Sequence, residues 1–199
     1  MLRFIFLSIS ILTLVSNYFI FNSYSLQTIL LNDTKNDKFT LSISQLNNIY
    51  YKYPSLASNS VPILTYISRY YTEENQFNYA IDQLKQSLVY NPNSLYTKYL
   101  LSRNYIFLDD FKSAEIYLKQ IFNQSPKIES SSSLYLSVLE INQNINDLVN
   151  IYDNMLEIES EIIWQYYLSA LKNNLKSDSI KLIYNKSLMF FKKTIKTWK

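Results

Sequence analysis

Pro92 and Pro126 stand 34 residues apart, and the residues ahead of the two prolines match in type at fixed offsets. Ahead of Pro92 come Leu64, Ile67, Ser68, Tyr71, Phe77, Ala80, Leu84 and Ser87; ahead of Pro126 come Lys98, Leu101, Ser102, Tyr105, Phe111, Ala114, Leu118 and Ile121. Apolar residues spaced by three and four are helical, and a period of this length holds one helix-turn-helix unit. One such unit cannot bury its apolar face alone, so the pattern calls for neighbours stacked along a line.

The residues that are missing narrow the chemistry. There is no glycine, which argues against tight hairpins, P-loops and dinucleotide folds, since each needs a left-handed backbone or a close approach to phosphate. Cysteine and histidine are absent too, which removes the usual zinc ligands, the thiol nucleophile and the commonest base near neutral pH. We expect no catalytic, metal or cofactor-binding residues, and hence no enzyme. A net charge of +3 is small for a nucleic-acid binder, and no motif of that class appears.

The two aligned blocks resemble the tetratricopeptide repeat, whose pattern sets a large residue, Leu, a small residue and Tyr on one helix and Ala on the next. Lys98 departs from it, standing where the family prefers a bulky apolar residue. The resemblance implies an all-α, TPR-like, right-handed α-solenoid that binds proteins or peptides. It implies a half-repeat at 39–54 on Phe39, Ser42, Leu46, Ile49 and Pro54, repeats at 61–94 and 95–128, and degenerate repeats at 129–160 and 161–199. The helix paired with the half-repeat is sought in Tyr24 to Leu31, with Asn32 to Asp37 as its turn. Ser130 to Ser133 would cap the helix after Pro126, Trp164 would take the bulky first position of the last repeat, and Pro62 would sit in a first helical turn. Asn75, Asp109 or Asp110, Asn144, and Asn173 or Asn174 would take the left-handed turn positions usually held by glycine.

Residues 1–32 form the second domain of this reading, ahead of the array at 33–199. After Arg3 an uncharged run extends from Phe4 to Asn32. Residues 3–22 as a helix would span about 30 Å, enough for a bilayer core. A retained anchor is favoured over a cleaved secretory signal ending near Ser23-Tyr24-Ser25, and a buried soluble helix comes third. With Arg3 kept inside, the repeats lie on the periplasmic, extracytoplasmic side, although Lys35 and Lys38 blur the charge bias.

For binding, the first helix of each repeat is expected to face a concave surface. Arg69 and Arg103 are equivalent there and are two of the three arginines. With Tyr96, Tyr99 and Phe107 they would form a ladder for a peptide carboxylate, an acidic sugar or a phosphate. The competing reading pairs Arg69 with Glu73 and leaves Arg103 solvated. Glu73-Glu74 and Asp109-Asp110 read as surface and turn residues rather than an acid-base pair. From Lys181 onward every charge is positive, including Lys186, Lys192, Lys193, Lys196 and Lys199, which suits a helix C-terminus.

The function expected is a membrane-tethered scaffold for protein-protein interaction at the bacterial cell envelope. A second likeness covers most of the chain: one apolar segment, a half-repeat, two clear repeats and Ile163-Trp164-Gln165-Tyr166-Tyr167-Leu168 resemble the C-terminal tail of O-antigen ligase and polymerase proteins. That resemblance implies an accessory or truncated tail working with polysaccharide machinery.

Overall fold

A computed structural model describes residues 2–48 and 56–195. Ile49 and Pro54 of the expected half-repeat, and Lys196 and Lys199, lie outside them. The described residues are helices and turns without a strand ladder; Leu56 and Pro62 meet in an isolated antiparallel bridge. In order come α1 (Leu2–Asn36), α2 (Ile43–Asn48), α3 (Ile63–Glu73), α4 (Phe77–Tyr90), α5 (Leu95–Phe107), α6 (Phe111–Gln124), α7 (Glu129–Ile141), α8 (Ile145–Asn150), α9 (Tyr152–Met155), α10 (Glu161–Asn173) and α11 (Asp178–Thr194). Contacts group them into two compact units, 1–100 and 101–199.

The turns explain how a glycine-free chain reverses direction. Asp37, Asn75, Asp109 and Gln143 have φ of 49°, 58°, 57° and 51°. Each is followed by a residue whose N–H reaches back five positions: Lys38 to Asp33 O, Gln76 to Tyr71 O, Asp110 to Tyr105 O and Asn144 to Leu139 O, at 2.8–3.0 Å. That bond closes a Schellman motif and satisfies a carbonyl the helix end would leave bare. The last three sit at 75, 109 and 143, so they repeat every 34 residues. Asn144, expected to be left-handed, instead caps α8 by accepting from Asp147 N–H. Likewise Asp110 caps α6 by accepting from Ser113 N–H. At the last expected turn Asn174 has φ −113°, and its buried side-chain amide donates to Ala170 O at 2.9 Å. A side chain there closes the helix end that a left-handed backbone closes elsewhere.

Other boundaries move for equally local reasons. The helix beside the half-repeat is the end of α1, which runs unbroken to Asn36, so the turn starts at Asp37 and not at Asn32. Phe39 and Ser42 precede α2 instead of lying in it. Ser42 Oγ accepts from Gln45 N–H at 3.3 Å while Gln45 Oε1 accepts from Ser42 N–H at 2.8 Å, a capping box that starts the helix at Ile43. Pro62 is the N-cap of α3, one residue ahead of its first turn. Ser130 to Ser133 lie inside α7, whose N-cap is Ile128. Ser131 and Ser132 are buried there and donate to the carbonyls of Ile128 and Pro126.

In the first unit Leu26, Leu30, Leu46, Ile63, Ile67, Tyr70 and Ala80 belong to one buried cluster. In the second, Trp164 is fully buried, its indole N–H donating to Ile158 O at 2.9 Å, and its ring lies 5.2 Å from that of Phe190. Tyr167 OH donates to Leu148 O at 2.8 Å. Burial raises the Tyr167 pKa and, with Asp147 adding to it, that of Tyr135. The small pairs of the two clear repeats, Ser68 with Ala80 and Ser102 with Ala114, are wholly buried. At the same offsets the third repeat carries Leu136 and Leu148, also wholly buried. Its second helix is short, breaking at Ile151 into α8 and α9.

Candidate functional site

Arg69 lies on α3, with its side chain mostly covered. Its Nη2 is 2.6 Å from Asp37 Oδ1, and Nη1 donates to Tyr96 OH at 3.4 Å. The guanidinium carbon stands 5.3 Å from the centre of the Phe39 ring, a cation-π placement. Burial works against the charge, but the contacts to Tyr96 and Asp37 outweigh it and raise the Arg69 pKa above its ordinary value. The expected partner Glu73 is therefore replaced by Asp37, from the turn after α1. One turn along a helix is within easy reach, but Asp37 is brought in by the left-handed corner that projects it beside α3.

Around this pair the first unit gathers aromatic rings. Tyr66 and Tyr96 stand 6.2 Å apart, and Asn59 Nδ2 donates to Tyr66 OH at 2.8 Å. Burial pushes the Tyr66 pKa up. Phe39 meets Tyr70 edge-on at 4.9 Å. Asp33, buried at 4% exposure, accepts from Tyr70 OH at 2.7 Å and from Thr40 N–H and Oγ1–H at 2.8 and 2.6 Å. Burial alone would raise its pKa; these donors, with the charge of Lys38, hold it below the ordinary carboxylate value. The same neighbourhood and burial push the Tyr70 hydroxyl upward.

Of the predicted surface, Tyr96 is brought to Arg69, and Tyr99 lies half-buried on α5. Arg103, in the second unit, stacks over Phe107 one turn on, 5.7 Å from the ring centre. Phe107 is 46% exposed. The residues missed are Asp33, Asp37, Phe39, Thr40 and Tyr70. Two of them carried a signal in the half-repeat: Phe39 aligns with Phe77 and Asp37 with Asn75, each at an offset of 38 residues.

Asp109 and Asp110 are the left-handed corner and the α6 cap, which accounts for both carboxylates structurally. Elsewhere acidic side chains tie neighbouring helices. Glu115 accepts from Asn142 and Asn144 at 2.7 and 2.6 Å, Glu140 accepts from Asn173 at 2.6 Å, and Lys119 pairs with Asp147 at 2.7 Å.

No protein-family model matches this sequence, and no curated protein matches it. Solved structures do resemble it in three dimensions. A crystal structure of MamA protein aligns over 88% of this chain and 94% of its own with a TM-score of 0.61 at 17% identity. MamA from AMB-1 covers 88% and 98% at TM-score 0.59 and 11% identity. A Podosopora anserina kinesin light chain protein with nearly identical TPR-like repeats covers 88% and 98% at TM-score 0.54 and 13% identity. With the helix pairs and their recurring corners, these likenesses establish the fold as an all-α array of the tetratricopeptide-repeat type, preceded by an apolar N-terminal helix.

Proposed function

We propose that this protein is a non-catalytic, membrane-tethered scaffold that docks a protein or peptide segment at the bacterial cell envelope. The observation that carries the reading is the change of character along α1. Its residues 6–22 are exposed all round, including Phe6, Leu7, Ile9, Leu12, Leu14, Phe19 and Phe21, while Ser23, Leu26 and Leu30 are buried against the array. Exposed apolar surface of that extent is costly in water and favourable in hydrocarbon, and the helix is long and apolar enough to cross a bilayer. In this reading the segment 1–32 is retained, with its exposed stretch to Asn22 in the bilayer and Ser23 to Leu30 packed on the array of 33–199, which the basic start at Arg3 holds on the extracytoplasmic side. The candidate binding residues are Arg69, Tyr96 and Tyr99 in the first unit, and Arg103 and Phe107 in the second.

Affinity capture from solubilised membranes tests the docking role. The unaltered chain should retain a defined partner with an acidic segment. Arg103→Ala should weaken that capture roughly ten- to hundredfold, as expected for a charge-assisted hydrogen bond of about 1.5–3 kcal/mol. Capture unchanged by Arg103→Ala removes Arg103 and Phe107 from the reading. Recovery of polysaccharide-assembly proteins would instead favour the O-antigen ligase tail. A reporter fused after Lys199 should be active outside the cytoplasm; activity only inside reverses the orientation.

A further inference from the structure

The exposed part of α1 and the part that packs against α3 have no linker between them. They are one helix from Leu2 to Asn36, and the chain has no glycine and no proline within it to kink it. Beyond the exposed stretch ending at Asn22, Ser23, Leu26, Leu30 and Asp33 follow at spacings of three, four and three, each at most 4% exposed. These spacings put all four on one helical stripe. Its last member is fastened: Asp33 takes hydrogen bonds from Tyr70 of α3 and twice from Thr40. Just past the helix end, Asp37 pairs with Arg69 of α3. Sliding α1 along α3 would part the buried Asp33 carboxylate from Tyr70 and the mostly covered Arg69 guanidinium from Asp37, and a covered charge that loses a partner is costly.

We infer that α1 is at once the anchor and the first helix of the array, a rigid joint that carries the first unit at a fixed height and tilt over the bilayer. The word bilayer rests on the membrane reading above; the joint itself does not. From Asn22 to Asp33 is eleven residues, so the Asp33-Tyr70 fastening stands about 16 Å above the end of the exposed stretch at about 1.5 Å per residue. A partner reaching the first unit must then approach at that level, which fits a membrane-proximal protein segment.

Because the chain has no cysteine, Ser16→Cys and Asn78→Cys give two unique spin-label sites, one on the exposed part of α1 and one at an exposed position of α4. Pulsed electron-electron resonance in phospholipid nanodiscs should return one narrow distance. Inserting Gly-Gly-Ser between Asn22 and Ser23 should at least double its width, and Asp33→Ala with Tyr70→Phe should broaden it. A wide distribution in the pair without further changes overturns the joint; a width insensitive to Asp33→Ala with Tyr70→Phe overturns the role given to the fastening. Alkaline washing of membranes separates the two readings. Release of the protein with the narrow distance kept overturns the anchor half alone.

Discussion

At the scale of single residues, the corners decide how this chain turns. A residue with a Cβ in the left-handed region costs roughly 1–2 kcal/mol, less for Asn and Asp, and Gln143 is the least suited of the four. Its side chain is exposed, so Gln143→Gly should relieve the strain with nothing else lost. Allowing for the extra freedom glycine gives the unfolded chain, we expect about 0.5–1 kcal/mol of added stability. Thermal unfolding should show this as a rise of about 2 °C, whereas Asn75→Gly should change little. These corners were partly legible. Residue type pointed to Asn75 correctly, left Asp109 and Asp110 open, and pointed to Asn144 in place of Gln143, because asparagine suits both a left-handed corner and the N-cap that follows it. The period would have chosen 143. Asp33 and its donors were not legible: their value depends on Tyr70 arriving from 37 positions away.

At the scale of elements, the sequence announced the helices of the clear repeats because their apolar stripe and small pairs recur together. Ala80 and Ala114 are both wholly buried, as are Leu84 and Leu118. Adding three carbons at Ala114 has no space to fill, so Ala114→Leu should cost about 1–3 kcal/mol, read as a lowered denaturant midpoint with unchanged slope. Leu148, at the equivalent place in the third repeat, is already large, so Leu148→Met should cost less. The serines of α7 show where element reading failed. Their type favours a cap, yet Ser131 and Ser132 are inside the helix because buried neighbours outweigh intrinsic preference, and their hydroxyls are satisfied by nearby carbonyls. The break at Ile151 left no sequence mark, since every residue from Ile145 to Met155 is compatible with one continuous helix.

At the scale of the molecule, stability should be bounded at both ends of the pH range. Asp33 and Asp110 have pKa values below their ordinary 3.8 in the fold, so the stability they contribute is complete above that value and is lost as pH falls through their lowered ones. Tyr70, Tyr135 and Tyr167 are raised above 10. They favour the fold until pH passes 10, where the unfolded tyrosines ionise first and stability declines. Helicity followed across pH should therefore stay flat between about 4 and 10, and Asp33→Asn should flatten the acid limb. A fold type shared with proteins at 11–17% identity fits a pattern carried by spacing more than by particular residues. The continuous α1 also orders events during synthesis. The ribosome delivers the stripe from Ser23 to Asp33 long before Tyr70 exists to meet it, so the end of α1 is complete as the surface on which α3 later closes.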